Sequence, residues 1–229
     1  MKKLALLSLF ALLFFTVAAN AADLYFYAGD FDPNNPNANG LANENDAIVG
    51  GNPYGAATYE NFVAGGAISV VGLFTNNLSQ NTPTSGYWEI RSGVSEGNGG
   101  TLIASGTGAV TNSPTGRSGF GYTEYKNEVD GMNVALGAGT YWYAVVPVCT
   151  TCGGRTFNSN TFGLNQVGTN VPNQQYFNSS FFGANFTNAN NEGVFQAFSG
   201  GVYTPEPSSI LMLGSGLLAA AGVIRRRLL

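Results

Sequence analysis

Along Thr140–Pro147, TYWYAVVP, the residues Tyr141, Tyr143 and Val145 fall on one side of an extended chain, and Trp142, Ala144 and Val146 fall on the other. Side chains alternate across a strand, so this segment has two apolar faces and predicts a strand in the middle of a sheet, covered on both sides. Shorter runs of β-branched and aromatic residues recur at Leu24–Tyr27, Thr58–Val63, Ile68–Phe74, Tyr87–Arg91, Thr101–Ser105, Phe120–Tyr125, Met132–Leu136 and Val194–Phe198, punctuated by Gly, Asn, Pro and Ser. Helix signals are nearly absent between them. About nine strands separated by frequent turn signals predict an all-β fold, an antiparallel β-sandwich whose two sheets bury alternate residues of each strand. Ser92–Gly100 reads as a turn-prone insert, and Gly137-Ala138-Gly139 as a tight connection into the Thr140 strand. From Gly153 to Asn191 the alternation dissolves into Asn, Gly and isolated aromatics, which predicts irregular loops with one or two short strands.

Two hydrophobic segments stand outside this pattern. Lys2 and Lys3 precede an apolar run from Leu4 to Val17, and Ala19-Asn20-Ala21 follows as an A-x-A site. That order defines a secretory signal peptide over residues 1–21 with cleavage after Ala21. At the other end Pro205-Glu206-Pro207 blocks any preceding strand, Ser208-Ser209 spaces it from an apolar run over Ile210–Ile224, and Arg225, Arg226 and Arg227 close the segment. Arginines resist translocation, so such a tail keeps its C-terminus in the cytoplasm and leaves the intervening chain outside. Three regions result: 1–21, a passenger over 22–203, and a tail over 204–229.

The ordered elements of that tail resemble the PEP-CTERM sorting signal of exported proteins in Gram-negative bacteria. The resemblance implies processing by an exosortase, a transient anchor in the inner membrane through the C-terminal helix, and a final place at the cell surface or in the extracellular matrix. It further implies exopolysaccharide as a possible associate. Within the passenger, YWEIRSGVSEGNGGTLIASGTG (Tyr87–Gly108), LGAGTYWYAVV (Leu136–Val146) and GVFQAFSGGVY (Gly193–Tyr203) are similar to the jelly-roll-like β-sandwich passengers that precede such tails, most of which have no assigned activity.

Charge changes the list of partners. Five of the nine basic residues lie in the two targeting segments, leaving Arg91, Arg117, Lys126 and Arg155 against twelve acids, a net charge of −8 for the passenger. Binding to nucleic acid rests on clustered Lys and Arg, so nucleic acid is not an expected partner.

The chain contains no histidine, which removes histidine general bases, Ser-His and Cys-His nucleophile systems and the commonest metal ligand together. Gly50-Gly51 and Gly97–Gly100 lack the Lys-Ser/Thr of a phosphate-binding loop and read as turns. Carboxylates are the remaining catalytic device: Glu89, Glu124, Glu128 and Asp130 could form an acid–base pair if the fold set two of them about 5–9.5 Å apart. The competing reading makes them solvent-facing charges, with Glu89 pairing Arg91. No catalytic residue is assigned, and the protein is expected not to be an enzyme.

Cys149-Thr150-Thr151-Cys152 allows a local disulfide, free thiols, or a redox or intermolecular role; export favours the disulfide. Asp30, Asp32 and Asn34, with Glu44 and Asp46 downstream, supply oxygen ligands of the kind Ca²⁺ prefers, but Asn35 and Leu41 occupy the places of the EF-hand Gly and Glu. Calcium is thus the sole cofactor considered, and no metal site is assigned. Tyr54, Tyr59, Tyr176, Phe181 and Phe182 could stack on sugar rings or belong to the core. The expected role is structural or adhesive at the surface or in an exopolysaccharide biofilm matrix; the alternatives are a carbohydrate-binding module and, behind it, a glycoside-active enzyme.

Overall fold

The computed structural model describes residues 22–190 and 197–206. The residues expected to form a signal peptide, Ala19 and Ala21 included, lie outside the described residues, as do Pro207, the apolar tail segment expected to cross the membrane, and Arg225 to Arg227. The chain divides into two units, Leu24–Thr204 and a second made of Met1–Asp23 and Pro205–Leu229. Among the described residues there is no helix.

The strands are β1 (Ala22–Tyr27), β2 (Gly40–Ala42), β3 (Asn45–Asp46), β4 (Ala57–Ala64), β5 (Ile68–Ser79), β6 (Ser85–Ser92), β7 (Thr101–Ala109), β8 (Thr111–Gly119), β9 (Tyr122–Leu136), β10 (Gly139–Cys149), β11 (Thr156–Thr161), β12 (Tyr176–Ser179), β13 (Ala184–Asn188), β14 (Ala197–Phe198) and β15 (Gly200–Pro205). Sheet I runs β1-β15-β5-β11-β14, with β9 on the other side of β5, β8 beyond β9, and β2 on β11. Sheet II runs β13-β12-β4-β10-β6-β7, with β3 parallel to the end of β10. The two sheets form a β-sandwich, and their long pairings are antiparallel.

The Thr140 strand occupies the predicted place. As part of β10 it pairs with β4 on one side and β6 on the other. Tyr143 and Val145 point between the sheets, into a core with Phe26, Phe62, Val70, Leu73, Ile90, Val129 and Val202. Trp142, Ala144 and Val146 point the other way, into a second cluster with Tyr59, Tyr176 and Phe186 on the far face of sheet II. A β-sheet with both faces dry explains why this strand alone is apolar throughout.

Three expectations are corrected. The runs Phe120–Tyr125 and Met132–Leu136 are not separate strands: Phe120 sits in the β8–β9 turn at φ 56°, and β9 continues through Asp130-Gly131, where Gly131 takes φ 76°. That position faces the register break between Val70 and Gly72 on β5, so the apparent turn is a bulge inside one strand. The segment Thr111–Gly119, TNSPTGRSG, is a strand although its residues favour turns, because the hairpin to β9 supplies its hydrogen bonds. Gly153–Asn191 holds three strands, β11, β12 and β13, one more than the upper expectation. Of Val194–Phe198, the two described residues form β14.

A polar layer continues the core where apolar residues run out. Asn43 Nδ2 donates to Asn77 Oδ1 (3.1 Å) and to the Val145 carbonyl (2.8 Å), Asn77 Nδ2 donates to Thr75 Oγ1 (2.9 Å), and Asn158 Nδ2 donates to Thr58 Oγ1 (2.9 Å). All of these residues are buried. These hydrogen bonds tie β4, β5, β10 and β11 across the sandwich, although the Asn158 Oδ1 atom is buried without a partner among the described residues.

Candidate functional site

Each arginine of the passenger is bound to a buried glutamate. On β6, Glu89 Oε1 accepts from Arg91 Nε (2.5 Å) and the Tyr59 hydroxyl (2.5 Å), while Oε2 accepts from the Tyr87 hydroxyl (2.7 Å). On β9, Glu124 Oε2 accepts from Arg117 Nε (2.5 Å) and the Thr115 hydroxyl (2.6 Å), and Oε1 accepts from the Ser159 hydroxyl (2.5 Å). Arg117 Nη1 also reaches Asp30 Oδ1 (2.6 Å). Glu44 Oε1 accepts from Arg155 Nη2 (2.7 Å), and its Oε2 accepts from the Thr156 amide (2.6 Å). Lys126 pairs with Glu128 (2.5 Å) and lies over the Phe74 and Tyr203 rings.

The carboxylates considered for acid–base chemistry therefore stand differently from either expectation. Glu89 pairs Arg91 as the alternative had it, but Glu89 and Glu124 are buried, not solvent-facing. They belong to different sheets and share no partner. Guanidinium and hydroxyl donors hold each of them in place within its sheet.

Glu60 is the exception. It projects from β4 on the same face as Phe62, is buried, and forms no ion pair among the described residues. Four neutral N–H groups converge on it: the Phe198 amide (2.6 Å), Gln175 Nε2 (2.9 Å), the Asn61 amide (3.0 Å) and Asn170 Nδ2 (3.3 Å). Burial pushes its pKa up to about 7 against the lowering effect of those donors. Burial also raises Glu44 to about 7 despite Arg155 and the Thr156 amide, with the nearby Asp46 carboxylate adding to the rise. Asp30 moves the other way: burial alone would raise it, but hydrogen bonds from Tyr27 and Asn165 and the Arg117 charge hold it below the ordinary range. The Tyr59 and Tyr143 hydroxyls are raised by burial and by their neighbours Glu89 and Glu60.

Beside Glu60 lies a cavity of about 270 Å³ lined by Ala28, Thr161, Phe162, Gln166, Asn170 and Asn173 among others. Its amides are neutral, and Asn170 is oriented by Glu60 on one side and by Gln166 Nε2 (3.2 Å) on the other. The sequence did not single out Glu60, Asn170 or Gln175, and it offered Glu44 only as a calcium ligand, whereas the structure binds it to Arg155. An acid on the Phe62 face of a predicted strand was the available signal for Glu60.

Cys149 and Cys152 are joined by a disulfide with a Cα–Cα distance of 5.3 Å, closing the turn after β10. Asp30, Asp32 and Asn34 do not form a calcium cradle. The Asp30 carboxylate is occupied by Arg117, the Tyr27 hydroxyl (2.5 Å) and Asn165 Nδ2 (2.8 Å), and Asp32 Oδ1 accepts from the Asn34 amide (2.9 Å). Among the described residues no group of three or more acidic or cysteine side chains is placed to hold a metal. Of the aromatics, Tyr59 and Tyr176 belong to the second core cluster with Tyr54 against it, whereas Phe181 and Phe182 are 56% and 47% exposed at the β12–β13 turn, with ring centroids 4.9 Å apart.

Pro205 ends β15 and Glu206 follows it, both exposed. Residues 204–227 match the PEP-CTERM protein-sorting motif. The motif implies an exported protein sorted by an exosortase in a Gram-negative bacterium. No curated protein and no solved structure matches the chain.

Proposed function

We propose that this protein is a non-enzymatic component of the cell surface or extracellular matrix, with a structural or adhesive role, delivered through its sorting tail after transient anchoring in the inner membrane. The observation that carries this reading is that the passenger's few cations are all taken up within the fold. Arg91, Arg117, Lys126 and Arg155 are bound to carboxylates, and Glu44, Glu60, Glu89 and Glu124 are held by several donors each. Such a domain offers rigidity and an acidic exterior, which suit a scaffold that stays soluble outside the cell. The test is to follow the mature chain by fractionation in a host with and without its exosortase. Accumulation in the surface or matrix fraction only when the exosortase is present supports the reading; retention in the periplasm in both hosts refutes it.

A second reading, carbohydrate binding, draws on the exposed Phe181–Phe182 pair and on the neutral amide lining of the cavity beside Glu60. Rings stack on the apolar faces of sugars, and amides serve their hydroxyls without charge. It is separated from the first by a glycan array with and without Ca²⁺: retention on a neutral glycan that Phe181→Ala with Phe182→Ala abolishes would favour it.

A further inference from the structure

We propose that the outer edge of β7 pairs with the β7 edge of a second copy of this chain, extending sheet II across two molecules. Among the described residues β7 is the last strand of sheet II and pairs with β6 alone. An edge strand presents a row of unpaired amides and carbonyls, and natural proteins guard such edges with charge, proline, bulges or brevity. The other sheet borders carry those guards. β8 contains Pro114 and Arg117, and its pairing to β9 is interrupted between Pro114 and Ser118. β13 is five residues long, β14 is two, and β1 carries Asp23 and is bridged at Tyr27 by Val167.

β7 lacks them over most of its length. Its nine residues, TLIASGTGA, include no charge and no proline. The one irregularity, between Ile90 and Arg91 of β6, leaves Ile103 as an extra residue near the start and Ala104–Ala109 in regular register. Leu102 and Ile103 are 46% and 42% exposed. On the inner face Gly106 lies under the Trp88 ring and Gly108 against Val129, so β7 is held flat on the sandwich by residues too small to push it away.

Charge selects the occupant. The passenger carries −8, so two copies repel over most of their surface, yet no charged residue occurs between Glu96 and Arg117. An antiparallel β7–β7 contact therefore sets only uncharged residues opposite one another, where like charges would be destabilising. Six to nine paired residues bury less than the roughly 1,200 Å² of a standard interface, so the contact is concentration-dependent and is favoured where many copies share one surface.

Single cysteines placed in the whole chain test this cleanly, because Cys149 and Cys152 are bonded to each other and leave no free thiol. Cys at Thr101, Ile103, Ser105, Thr107 and, as a control on β8, Ser118 would be oxidised mildly on membranes of the expressing host and resolved on a non-reducing gel. The expected result is a band at twice the chain mass that peaks over Ser105 and Thr107 and is absent at Ser118. Ser105→Lys with Thr107→Lys should weaken dimerisation of the detergent-solubilised chain about tenfold by sedimentation, through like charges opposed at close range, with an unchanged circular dichroism spectrum. A monomer at all concentrations, equal cross-linking at Ser118, or a cross-linked species of any other mass would overturn the proposal, the last by showing that the edge takes a different protein.

Discussion

Replacing Glu60 by Gln should change how the stability of the sandwich depends on pH more than it changes stability at any one pH. In the folded chain the Glu60 carboxyl titrates at about 7, and in the unfolded chain near its ordinary value of 4.5. Between those values the folded protein holds a proton that the unfolded chain has released. Stability therefore falls as pH rises through this window, with a slope of at most about 1.4 kcal/mol per pH unit. Over the whole shift the loss is about 3 kcal/mol. Below pH 4.5 both states are protonated and Glu60 contributes no slope; above 7 both are ionised and the loss is complete.

Gln keeps the size of Glu60 and cannot ionise. At pH 5 the variant gives up part of the four-donor cradle, because an amide nitrogen cannot accept from the Phe198, Asn61, Gln175 or Asn170 N–H groups. As pH rises from 5 to 8 the variant should gain on the parent by up to about 3 kcal/mol. Glu44, also titrating at about 7, leaves a residual slope in both proteins. The assay is urea unfolding of residues 22–206 at half-unit pH steps, read by the fluorescence of Trp88 and Trp142. Parallel curves for parent and Glu60→Gln from pH 5 to 8 would refute the assignment of a buried, cation-free carboxylate at this position.

Replacing Cys149 and Cys152 with Ser should lower stability by about 1–2 kcal/mol, since a loop this short gains little chain entropy from closure, and export should persist; chemical unfolding and fractionation report the two outcomes. Arg117→Ala leaves Glu124 buried without its guanidinium and should cost about 3 kcal/mol in denaturant unfolding, with part recovered when Glu124→Gln is added. Neutralising Arg225, Arg226 and Arg227 should weaken membrane retention and processing of the tail, checked by fractionation and by the gel mobility of the mature chain.

The parts of this fold that could be read from the chain are those where burial and strand period agree. β10 shows both of its apolar faces in six consecutive residues, and β4, β6 and the first half of β5 show one. What escaped is strand whose stabilisation comes from hydrogen bonding. β5 was expected to stop at Phe74 because Thr75-Asn76-Asn77 is polar, yet these residues are buried and face Ser199, Asn43 and the Val145 carbonyl. β8 and β9 were obscured by Pro114, Gly116 and Gly131, which mark bulges within strands as readily as turns between them. The buried Glu–Arg pairs were hidden for another reason. Glu89 and Arg91 stand two residues apart and Arg117 and Glu124 face each other across the β8–β9 hairpin, whereas Glu44 and Arg155 are far apart in sequence and meet because the Asn43 amide donates to the Thr156 carbonyl (3.0 Å). Lone acids in a polar chain give no local sign of burial.

The same economy of residues governs the end of the passenger. Val202 is fully buried against Leu73 and Phe26, and β15 pairs with β5 through Gly200–Tyr203. The sorting match begins at residue 204, one position after the last of those pairs, and Pro205 is both the end of β15 and the first residue of Pro-Glu-Pro. A proline has no amide hydrogen to offer the sheet, so it stops the strand at the point where the address starts. No spacer separates the two. Processing can therefore spare the fold only if it cuts beyond Tyr203, because a cut one or two residues earlier removes Val202 or its pairing and opens the core at Leu73. The Pro-Glu-Pro in this chain is thus a boundary of the sandwich as well as part of its sorting signal.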